Sequence, residues 1–480
     1  MPIVRRLAPA ALFALATPFV TSLAAQRQLR PNVAQYVTIN APVVVLNHVR
    51  VIDGSGLPAR DDQMVVITGP TITAVGSASM MAAPAGAQVI DLSGHTVIPG
   101  LIGLHDHMYY SSAAGGGMKP MLSSYPRLFL GAGVTTIRTT GSVDSYQELN
   151  LRQNILDGLL VGPEIVVTGP YLQGAGPGPG AMHPLSGPED ARRMVTYWAD
   201  EGVTWFKAYT QVSRAELKAA IDAAHKKGVK VTAHLCSIGY REAVALGIDN
   251  LEHGLLANSE YFPGKVPDAC PSDYAAMTRS WADLDIGSDA VKQTLQDITR
   301  KKVGMTSTLA VMELSAPSRV PRDQRVLDAL MPDAAKTVDQ YYAGGATAHD
   351  SVDIAALKKA MAYERAFVAA GGLLGAGSDP CCLSAIAGFA DQRNFEMLVE
   401  AGFRAEEAIK IMTANGATIL GFGDRVGTIT PGKAADLVVL RGDLVADPSA
   451  IRNVVTVFRL GLGYDSAKLL QSIKGTVGLR

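Results

Sequence analysis

The stretch TVIPGLIGLHDH, residues 96–107, joins an apolar run to two histidines at its end. Its β-branched and aliphatic residues predict a buried strand. Because side chains at positions i and i+2 of a strand point the same way, His105 and His107 are expected to face one interior while Asp106 turns away. An HxH pair alone is weak evidence for a metal site. Further ligand-type residues at the ends of other strands are needed to support one.

Seven further apolar segments alternate with helical patterns downstream, as parallel strands with crossover helices do. In the clearest helical segment, residues 213–228, Ser213 can cap the start, Glu216 follows three residues later, and Gly228 ends the run. Eight strands of this kind predict an α/β fold, a (β/α)8 TIM-like barrel over residues 96–422. The alternative, an open doubly wound sheet, lacks a glycine-rich dinucleotide loop after its first strand. The seven further predicted strands are residues 134–141, 164–170, 203–210, 229–236, 250–256, 304–310 and 373–380.

The two flanks of this central region differ from it in character. Residues 37–95 and 423–480 read as short strands with turns, and neither segment has helical spacing. Each is too short for a robust core of its own. We therefore predict that both chain ends pair into one small β-sandwich beside the barrel.

The N-terminus has the layout of a cleaved secretory signal over residues 1–25. Arg5 and Arg6 precede an apolar stretch that ends in small residues. The alternative, a membrane anchor, is disfavoured because Pro9 and Pro18 interrupt a run that is short for a spanning helix. We expect export to a periplasm or to the medium, with no stable membrane insertion after cleavage.

Composition narrows the class of partner. The chain has 43 basic and 44 acidic side chains, so no excess positive charge favours nucleic-acid binding. A small-molecule substrate fits better, and homo-oligomer formation stays open. The four cysteines suit one or two disulfides in an oxidising compartment. Because the neighbours Cys381 and Cys382 rarely pair with each other, we favour a link from one of them to Cys270, and we expect Cys236 to be a buried thiol.

Ligand-type residues recur at the ends of the predicted strands. Besides the HxH pair they are Lys207 in VTWFKAYT, His234 in VTAHLC, His253 in NLEHG and Asp379 in GAGSDP. Each histidine alone reads as a core residue, and Asp379 alone reads as a helix cap, but together the six predict a metal centre. Four imidazoles and one carboxylate suit zinc, manganese, iron or cobalt, and they are enough donors for two ions. A neutral Lys207 could react with carbon dioxide to give a bridging carbamate, although an internal ion pair of Lys207 is the alternative.

In these motifs the sequence resembles the amidohydrolase superfamily, specifically its imidazolonepropionase-like and prolidase-like branch. The resemblance covers nearly all of the mature chain, from VRVIDGSG through VIPGLIGLHDH, GVTTIR, VTWFKAY, VTAHL, NLEHG and GAGSD to GTITPGKAADLVVL. Two positions depart from the family pattern, Gly103 and Thr139, where aspartate is common. Neither departure removes a metal ligand, but both alter the residues that orient the ligands.

The resemblance implies a binuclear centre, most simply of zinc, and a role for each residue. His105, His107 and Asp379 would bind the more buried ion, His234 and His253 the second, and carboxylated Lys207 would bridge them. The ions would lower the pKa of a bridging water, which attacks a polarised carbonyl. Asp379 would pass the proton to the leaving amine.

Substrate contacts are less well defined by the sequence. Tyr209 could donate a hydrogen bond to a substrate carbonyl, or it could be a packed rim residue. His183 could reach the substrate from a glycine-rich loop, or it could be a solvated loop histidine. Arg138 could pair with a substrate carboxylate, or it could form an internal salt bridge.

The predicted function is metal-dependent hydrolysis of the amide bond of a dipeptide or an N-acyl amino acid. A cyclic amide, a lactone or an ester is the alternative on the same site, because the same attack opens any of these carbonyls. An inactive barrel that serves as a binding protein is disfavoured, because it predicts the loss of at least one ligand and all six are present.

Overall fold

The computed structural model describes residues 27–111, 117–176 and 182–478, which form a mixed α/β fold. The predicted signal segment, residues 1–25, lies outside these residues. Within the three described ranges, no helix is both long enough and apolar enough to cross a lipid bilayer. The strands in chain order are β1 Val37–Ile39, β2 Val43–Val51, β3 Arg60–Thr68, β4 Thr71–Ser77, β5 Gln88–Asp91, β6 His95–Pro99, β7 Leu101–Asp106, β8 Tyr109–Ser111, β9 Met118–Pro120, β10 Val134–Thr139, β11 Glu164–Val167, β12 Trp205–Ala208, β13 Lys230–Ala233, β14 Asn250–Glu252, β15 Gly304–Ser307, β16 Leu374–Ala376, β17 Leu437–Arg441, β18 Val454–Arg459 and β19 Leu462–Asp465.

Helices fill most connections between the central strands. In chain order they are α1 Pro31–Ala34, α2 Tyr125–Gly131, α3 Ser145–Leu156, α4 Pro188–Asp200, α5 Arg214–Lys226, α6 Tyr240–Leu246, α7 Tyr274–Ala282, α8 Asp289–Arg300, α9 Leu309–Met312, α10 Gln324–Ala329, α11 Pro332–Ala343, α12 Asp350–Ala369, α13 Phe389–Glu400, α14 Ala405–Lys410, α15 Gly416–Leu420 and α16 Ser466–Gln471. Helix α5 has the predicted capping box, in which Ser213 Oγ accepts from Glu216 N and Ser213 N donates to the Glu216 carboxylate. Gly228, with φ of +72°, follows its last turn.

The eight strands predicted for the central region are present and lie in chain order. Strands β7, β10 and β11 pair in parallel in one sheet, and β12 to β16 pair in parallel in a second. Hydrogen bonds also join the two sheets on both sides. Gly169 N, just beyond β11, donates to Trp205 O of β12 at 2.9 Å, and Asp379 N, beyond β16, donates to His105 O of β7 at 2.7 Å. The carboxyl ends of all eight strands therefore lie on one side of the fold.

The first predicted strand, residues 96–107, is two strands that belong to different sheets. Strand β6 pairs antiparallel with β17, whereas β7 pairs parallel with β10. The break falls at Gly100, where a Cβ atom would lie 2.1 Å from Thr135 Oγ1. Hydrophobic periodicity could not reveal this break, because both strands are buried and apolar.

The two chain ends meet in a single nine-stranded sheet. Its order is β1-β19-β18-β17-β6-β2-β3-β4, and β5 pairs with β2. The N-terminal and C-terminal flanks therefore share one hydrogen-bonded network. The buried side chains of this sheet come from both flanks and include Leu46, Val65, Leu437, Val439 and Phe458.

All four cysteines lie in the described residues, and their pairing corrects the sequence prediction. The disulfides are Cys236–Cys270 and Cys381–Cys382, so the favoured link to Cys270 from the later pair is wrong. Cys236 is not a free thiol either. The loop that carries Cys270 folds back over the end of β13, where Lys265 Nζ donates to Ser237 O at 2.6 Å. Which loop covers which strand end is a tertiary property that cysteine spacing does not encode.

Candidate metal centre

The structure brings all six candidate ligands together at the carboxyl ends of the parallel strands. Two of them stand within strands, and four follow a strand by one to three residues. They are His105 in β7, His107 after it, Lys207 in β12, His234 after β13, His253 after β14 and Asp379 after β16.

Asp379 is the point of contact between the histidines. Its Oδ1 lies 3.0 Å from His107 Nε2, and its Oδ2 lies 3.7 Å from His105 Nε2 and 3.9 Å from His253 Nδ1. One donor atom each of His105, His253 and Asp379 falls within 4.8 Å of the others. This separation lets three donors reach a single ion.

Lys207 and His234 complete the cluster. Lys207 Nζ lies 2.9 Å from His105 Nε2. The ring of His234 lies 4.3 Å from that of His253, measured between centroids, and the ring of His253 lies 4.4 Å from that of His105. The six side chains therefore form one continuous group.

The backbone is left-handed at two of these residues. His253 has φ of +68° and Asp379 has φ of +48°. Non-glycine residues rarely adopt this conformation, and its cost is accepted mainly where surrounding structure or function requires it. His253 directly follows the end of β14, and Asp379 lies three residues beyond the end of β16, so both left-handed residues belong to the turns that leave the strands.

Burial keeps the imidazoles neutral. Removal from water lowers the pKa of His107 to about 4 and that of His234 to about 3, and it also lowers the pKa values of His105 and His253. A neutral imidazole is the form that binds a metal ion. At neutral pH these side chains are therefore ready to act as ligands.

The surroundings of the cluster lower the pKa values of Asp379 and Lys207 for different reasons. Burial on its own would raise the pKa of Asp379, but the facing His105, His107 and His253 outweigh it and hold that pKa well below its usual range. Burial lowers the pKa of Lys207 to about 8, although Asp379 and Glu252 oppose the shift. Asp379 is thus ionised at neutral pH, and Lys207 loses its proton more readily than an exposed lysine does.

Glu252 lies behind the cluster and fixes His105. Its Oε2 accepts a hydrogen bond from His105 Nδ1 at 2.8 Å, and its Oε1 accepts from Asn250 Nδ2 at 3.0 Å and from the Thr232 hydroxyl. Because Nδ1 of His105 donates to this carboxylate, Nε2 is the nitrogen left to face the cluster.

Arg138 forms an internal salt bridge, so the interpretation of Arg138 as a contact for a substrate carboxylate is wrong. It is fully buried, its Nη2 pairs with Glu252, and its Nε donates to Leu104 O at 2.7 Å. The internal salt bridge is therefore the right interpretation. Its charge neutralises the carboxylate that positions His105.

The other two predicted substrate residues, Tyr209 and His183, lie in different places in the structure. Tyr209 lies at the cluster, with its ring 5.1 Å from that of His234. His183 is 63 % exposed in its side chain and lies 3.5 Å from Asp190, next to residues 177–181 outside the described range. The structure places Tyr209 at the site and gives His183 no contact with the six candidate ligands.

Sequence reasoning missed several residues that touch the cluster. Glu252 precedes His253 directly, so strand alternation predicts that it turns away; the left-handed turn at His253 is what lets both contribute. Thr308 Oγ1 lies 2.8 Å from His253 Nδ1. Tyr109 stacks on His107 and contacts Tyr171. The spacing of Tyr109 two residues after His107 is the one signal that could have identified it.

The unusual Gly103 has a steric explanation. A Cβ atom there would lie 1.7 Å from Asp106 Oδ2, so the Asp106 carboxyl group fills the space that a side chain at position 103 would occupy. Asp106 turns away from the ligands, as predicted, and its Oδ1 accepts from Ser378 Oγ at 2.9 Å. The same hydroxyl lies 2.9 Å from Asp391 Oδ2.

The cluster fits metal ions on the evidence of its own atoms. Among the described residues, His107 Nδ1 and His253 Nε2 are buried without a hydrogen-bond partner. Buried polar atoms are normally satisfied, so unpartnered ring nitrogens beside neutral imidazoles and an ionised carboxylate are donors available to a metal ion.

The family assignment follows from sequence comparison. The amidohydrolase family matches residues 96–463, which is most of the chain. The chain therefore belongs to the amidohydrolase family, and it is a hydrolase that acts on carbon–nitrogen bonds. A comparison with curated proteins found no significant match.

Solved structures place the fold next to prolidases. A putative prolidase from Bifidobacterium longum is 25 % identical, with 90 % of this chain and 98 % of that chain covered and a TM-score of 0.63. A Xaa-Pro dipeptidase with bound methionine is 20 % identical, with 88 % and 100 % covered and a TM-score of 0.65. A. niger ochratoxinase is 18 % identical, with 88 % and 96 % covered and a TM-score of 0.63. The last two similarities concern the fold alone.

Proposed function

We propose that this protein is a secreted, metal-dependent amidohydrolase that cleaves the amide bond of a dipeptide or an N-acyl amino acid. The observation that carries the proposal is the convergence of His105, His107, Lys207, His234, His253 and Asp379 at the carboxyl ends of the parallel strands. The putative prolidase among the similar structures supports a dipeptide as substrate.

Two divalent ions, most simply zinc, would be held by these residues. His105, His107 and Asp379 would bind one ion and His234 and His253 the other, with carboxylated Lys207 between them. When bound, the ions supply an activated water and polarise the scissile carbonyl. Carboxylation also explains a buried lysine whose nearest polar partner is a ring nitrogen of His105.

The residues of the chain itself handle the proton and the substrate. Ionised Asp379 accepts the proton of the attacking water and delivers it to the leaving amine. Burial raises the pKa of Tyr209 to about 12, so its hydroxyl stays protonated at neutral pH and donates a hydrogen bond to the carbonyl oxygen. Glu252 and Arg138 keep His105 oriented throughout.

The proposal includes the architecture and the location of the protein. The eight parallel strands form a closed (β/α)8 barrel, and the nine-stranded sheet of the chain ends is the small β domain beside it. The hydrogen bonds from Gly169 and Asp379 across the two sheet boundaries support closure. Two disulfides support an oxidising compartment, in line with a cleaved signal at residues 1–25 and a periplasmic or secreted protein.

The test combines metal analysis with a substrate panel on the mature protein. We expect about two ions per chain after supply of zinc and bicarbonate, with hydrolysis of dipeptides and N-acyl amino acids that chelation abolishes. The panel includes a cyclic amide, a lactone and an ester, which decide between the proposed substrates and the alternative ones. His234→Ala should lower the metal content, whereas the matched control His225→Ala, on the exposed face of α5, should not. Absence of bound metal would reject the ligand assignment in favour of a binding protein.

A further inference from the structure

Two tyrosines form one wall of the candidate metal centre. The ring of Tyr109 stacks on that of His107 at 4.6 Å, and the ring of Tyr171 meets that of Tyr209 edge to face at 5.4 Å. The hydroxyl oxygens of Tyr109 and Tyr171 lie 2.9 Å apart. Tyr109 is 4 % exposed and Tyr171 is 3 % exposed. The pair is therefore a buried, hydrogen-bonded unit beside His107.

The position of this tyrosine pair is fixed by the backbone around it. Leu172 N donates to Lys207 O at 2.9 Å, which ties the segment of Tyr171 to β12. The Tyr171 ring packs on the bare α-carbon of Gly141, where a Cβ atom would lie 2.3 Å from the ring. Tyr109 is held in β8, two residues after His107. The two rings are therefore held in fixed positions relative to the candidate ligands.

The tyrosine pair retains one hydrogen-bond donor. Each phenol has a single O–H, and the bond between the two oxygens uses only one of the two hydrogens. In residues 27–111, 117–176 and 182–478, neither hydroxyl makes another hydrogen bond. A phenol is protonated at neutral pH, so the second hydrogen is available. A ligand oxygen is the partner that would satisfy the remaining hydrogen, and an anionic oxygen satisfies it best.

The chemistry of Asp379 indicates which half of a substrate reaches this wall. If Asp379 protonates the leaving amine, that nitrogen lies beside the Asp379 carboxylate, whose Oδ1 is 3.0 Å from His107 Nε2. Because Tyr109 stacks on His107, a substituent of the amine on this side is within reach of the tyrosine pair. Arg138, one of the residues proposed from the sequence to bind a substrate carboxylate, is paired with Glu252 instead.

We propose that Tyr109 and Tyr171 together bind the carboxylate of the leaving amino acid, and so select amide substrates whose amine half is an α-amino acid. This inference rests on the proposed function and deepens it. The tyrosine pair is a specificity determinant and takes no part in bond cleavage, so its removal should affect KM more than kcat.

The test uses two substrates that differ only in the carboxylate: N-acetylphenylalanine and N-acetylphenethylamine. For the double variant Tyr109→Phe/Tyr171→Phe we expect a rise in KM of about tenfold on the first substrate, equivalent to about 1.4 kcal/mol, and no rise on the second. Each single variant should give a smaller rise, because one hydroxyl remains. Tyr125→Phe is the matched control, since Tyr125 is a buried residue of α2 whose hydroxyl has no partner in the described residues.

Circular dichroism and metal content establish that the variants fold and load as the wild type does. Calorimetric titration with phenylalanine and phenethylamine, the corresponding amines, measures the carboxylate contact without turnover. A loss of affinity in the double variant for phenylalanine alone supports the proposal. Equal effects on both amines, or no effect, would overturn it. The proposed function is judged separately, on hydrolysis by the wild type.

Discussion

The nine-stranded sheet of the chain ends and the carboxyl ends of the parallel strands bury opposite kinds of side chain. The sheet buries aliphatic and aromatic groups such as Leu46, Leu437 and Phe458. The strand ends bury imidazoles, carboxylates and a lysine, some with ring nitrogens that lack a hydrogen-bond partner among the described residues. Apolar burial stabilises a fold, whereas burial of polar groups costs free energy unless each is paired.

This difference teaches that stability and activity are located in separate parts of the molecule. Substitutions in the sheet should change the free energy of unfolding and leave catalysis intact. Substitutions at the strand ends should do the reverse, except where a buried charge loses its partner. Four experiments test this separation.

The largest effect is expected at Asp379. Asp379→Asn keeps the shape of the side chain and tolerates the left-handed backbone, but it removes the charge that binds metal and carries the proton. We expect kcat/KM to fall about 10³-fold or more with little change in unfolding free energy. Steady-state kinetics and urea denaturation measure the two quantities, with the exposed Asp424→Asn as control. Retained activity would reject the proton-transfer role.

Glu252 is the exception, because its substitution should lower both the stability and the activity of the protein. Glu252→Gln leaves the fully buried Arg138 without a counter-charge, so we expect unfolding to become easier by about 3–5 kcal/mol. The loss of His105 orientation should also lower activity. Asp222→Asn, which breaks only the exposed pair with Lys218, should cost less than about 1 kcal/mol. Similar costs for the two variants would show that the buried pair is unimportant for stability.

Leu46→Ala tests the sheet. Removal of this fully buried side chain should destabilise the protein by about 2–5 kcal/mol. At a temperature where the variant stays folded, kcat/KM should equal that of the wild type. Val89→Ala, at a half-exposed position of β5, should shift stability by about 0.5 kcal/mol or less. A fall in kcat/KM of folded Leu46→Ala would contradict the separation of the two regions.

The effect that is smallest per unit of the variable changed concerns pH, measured on metal-free protein. Burial lowers the pKa of His107 from 6.5 to about 4, so between these values the unfolded chain binds a proton that the folded chain does not. Stability therefore falls as the pH drops through this window, by about 1.4 kcal/mol per pH unit for this group, and is fully present above pH 6.5. His107→Asn should make the pH dependence of unfolding shallower by about that amount. Parallel curves for the two proteins would rule out this contribution.

Much of the fold and the candidate ligands could be predicted because they depend on local patterns. Each parallel strand is a short apolar run, and His105, Lys207, His234, His253 and Asp379 lie in or just after such runs. The capping box at Ser213 is equally local. A residue at the end of a parallel strand meets the ends of its neighbours, so the pattern alone implied that these side chains converge.

Other features could not be predicted because they depend on which loops fold over which strands. The pairing of Cys236 with Cys270, the exposed position of His183 and the partnership of Tyr109 with Tyr171 are long-range contacts with no sequence spacing of their own. The break at Gly100 depends on how closely Thr135 approaches.

The sequence by itself determined the alternation of strands and helices, the family and the six side chains that could bind metal, because hydrophobic period and residue chemistry are local properties. Only the tertiary structure decided that Arg138 neutralises Glu252 instead of a substrate, since two charges buried together must satisfy each other. It also decided that Tyr171 faces the centre, since that contact needs the bare α-carbon of Gly141 beneath its ring.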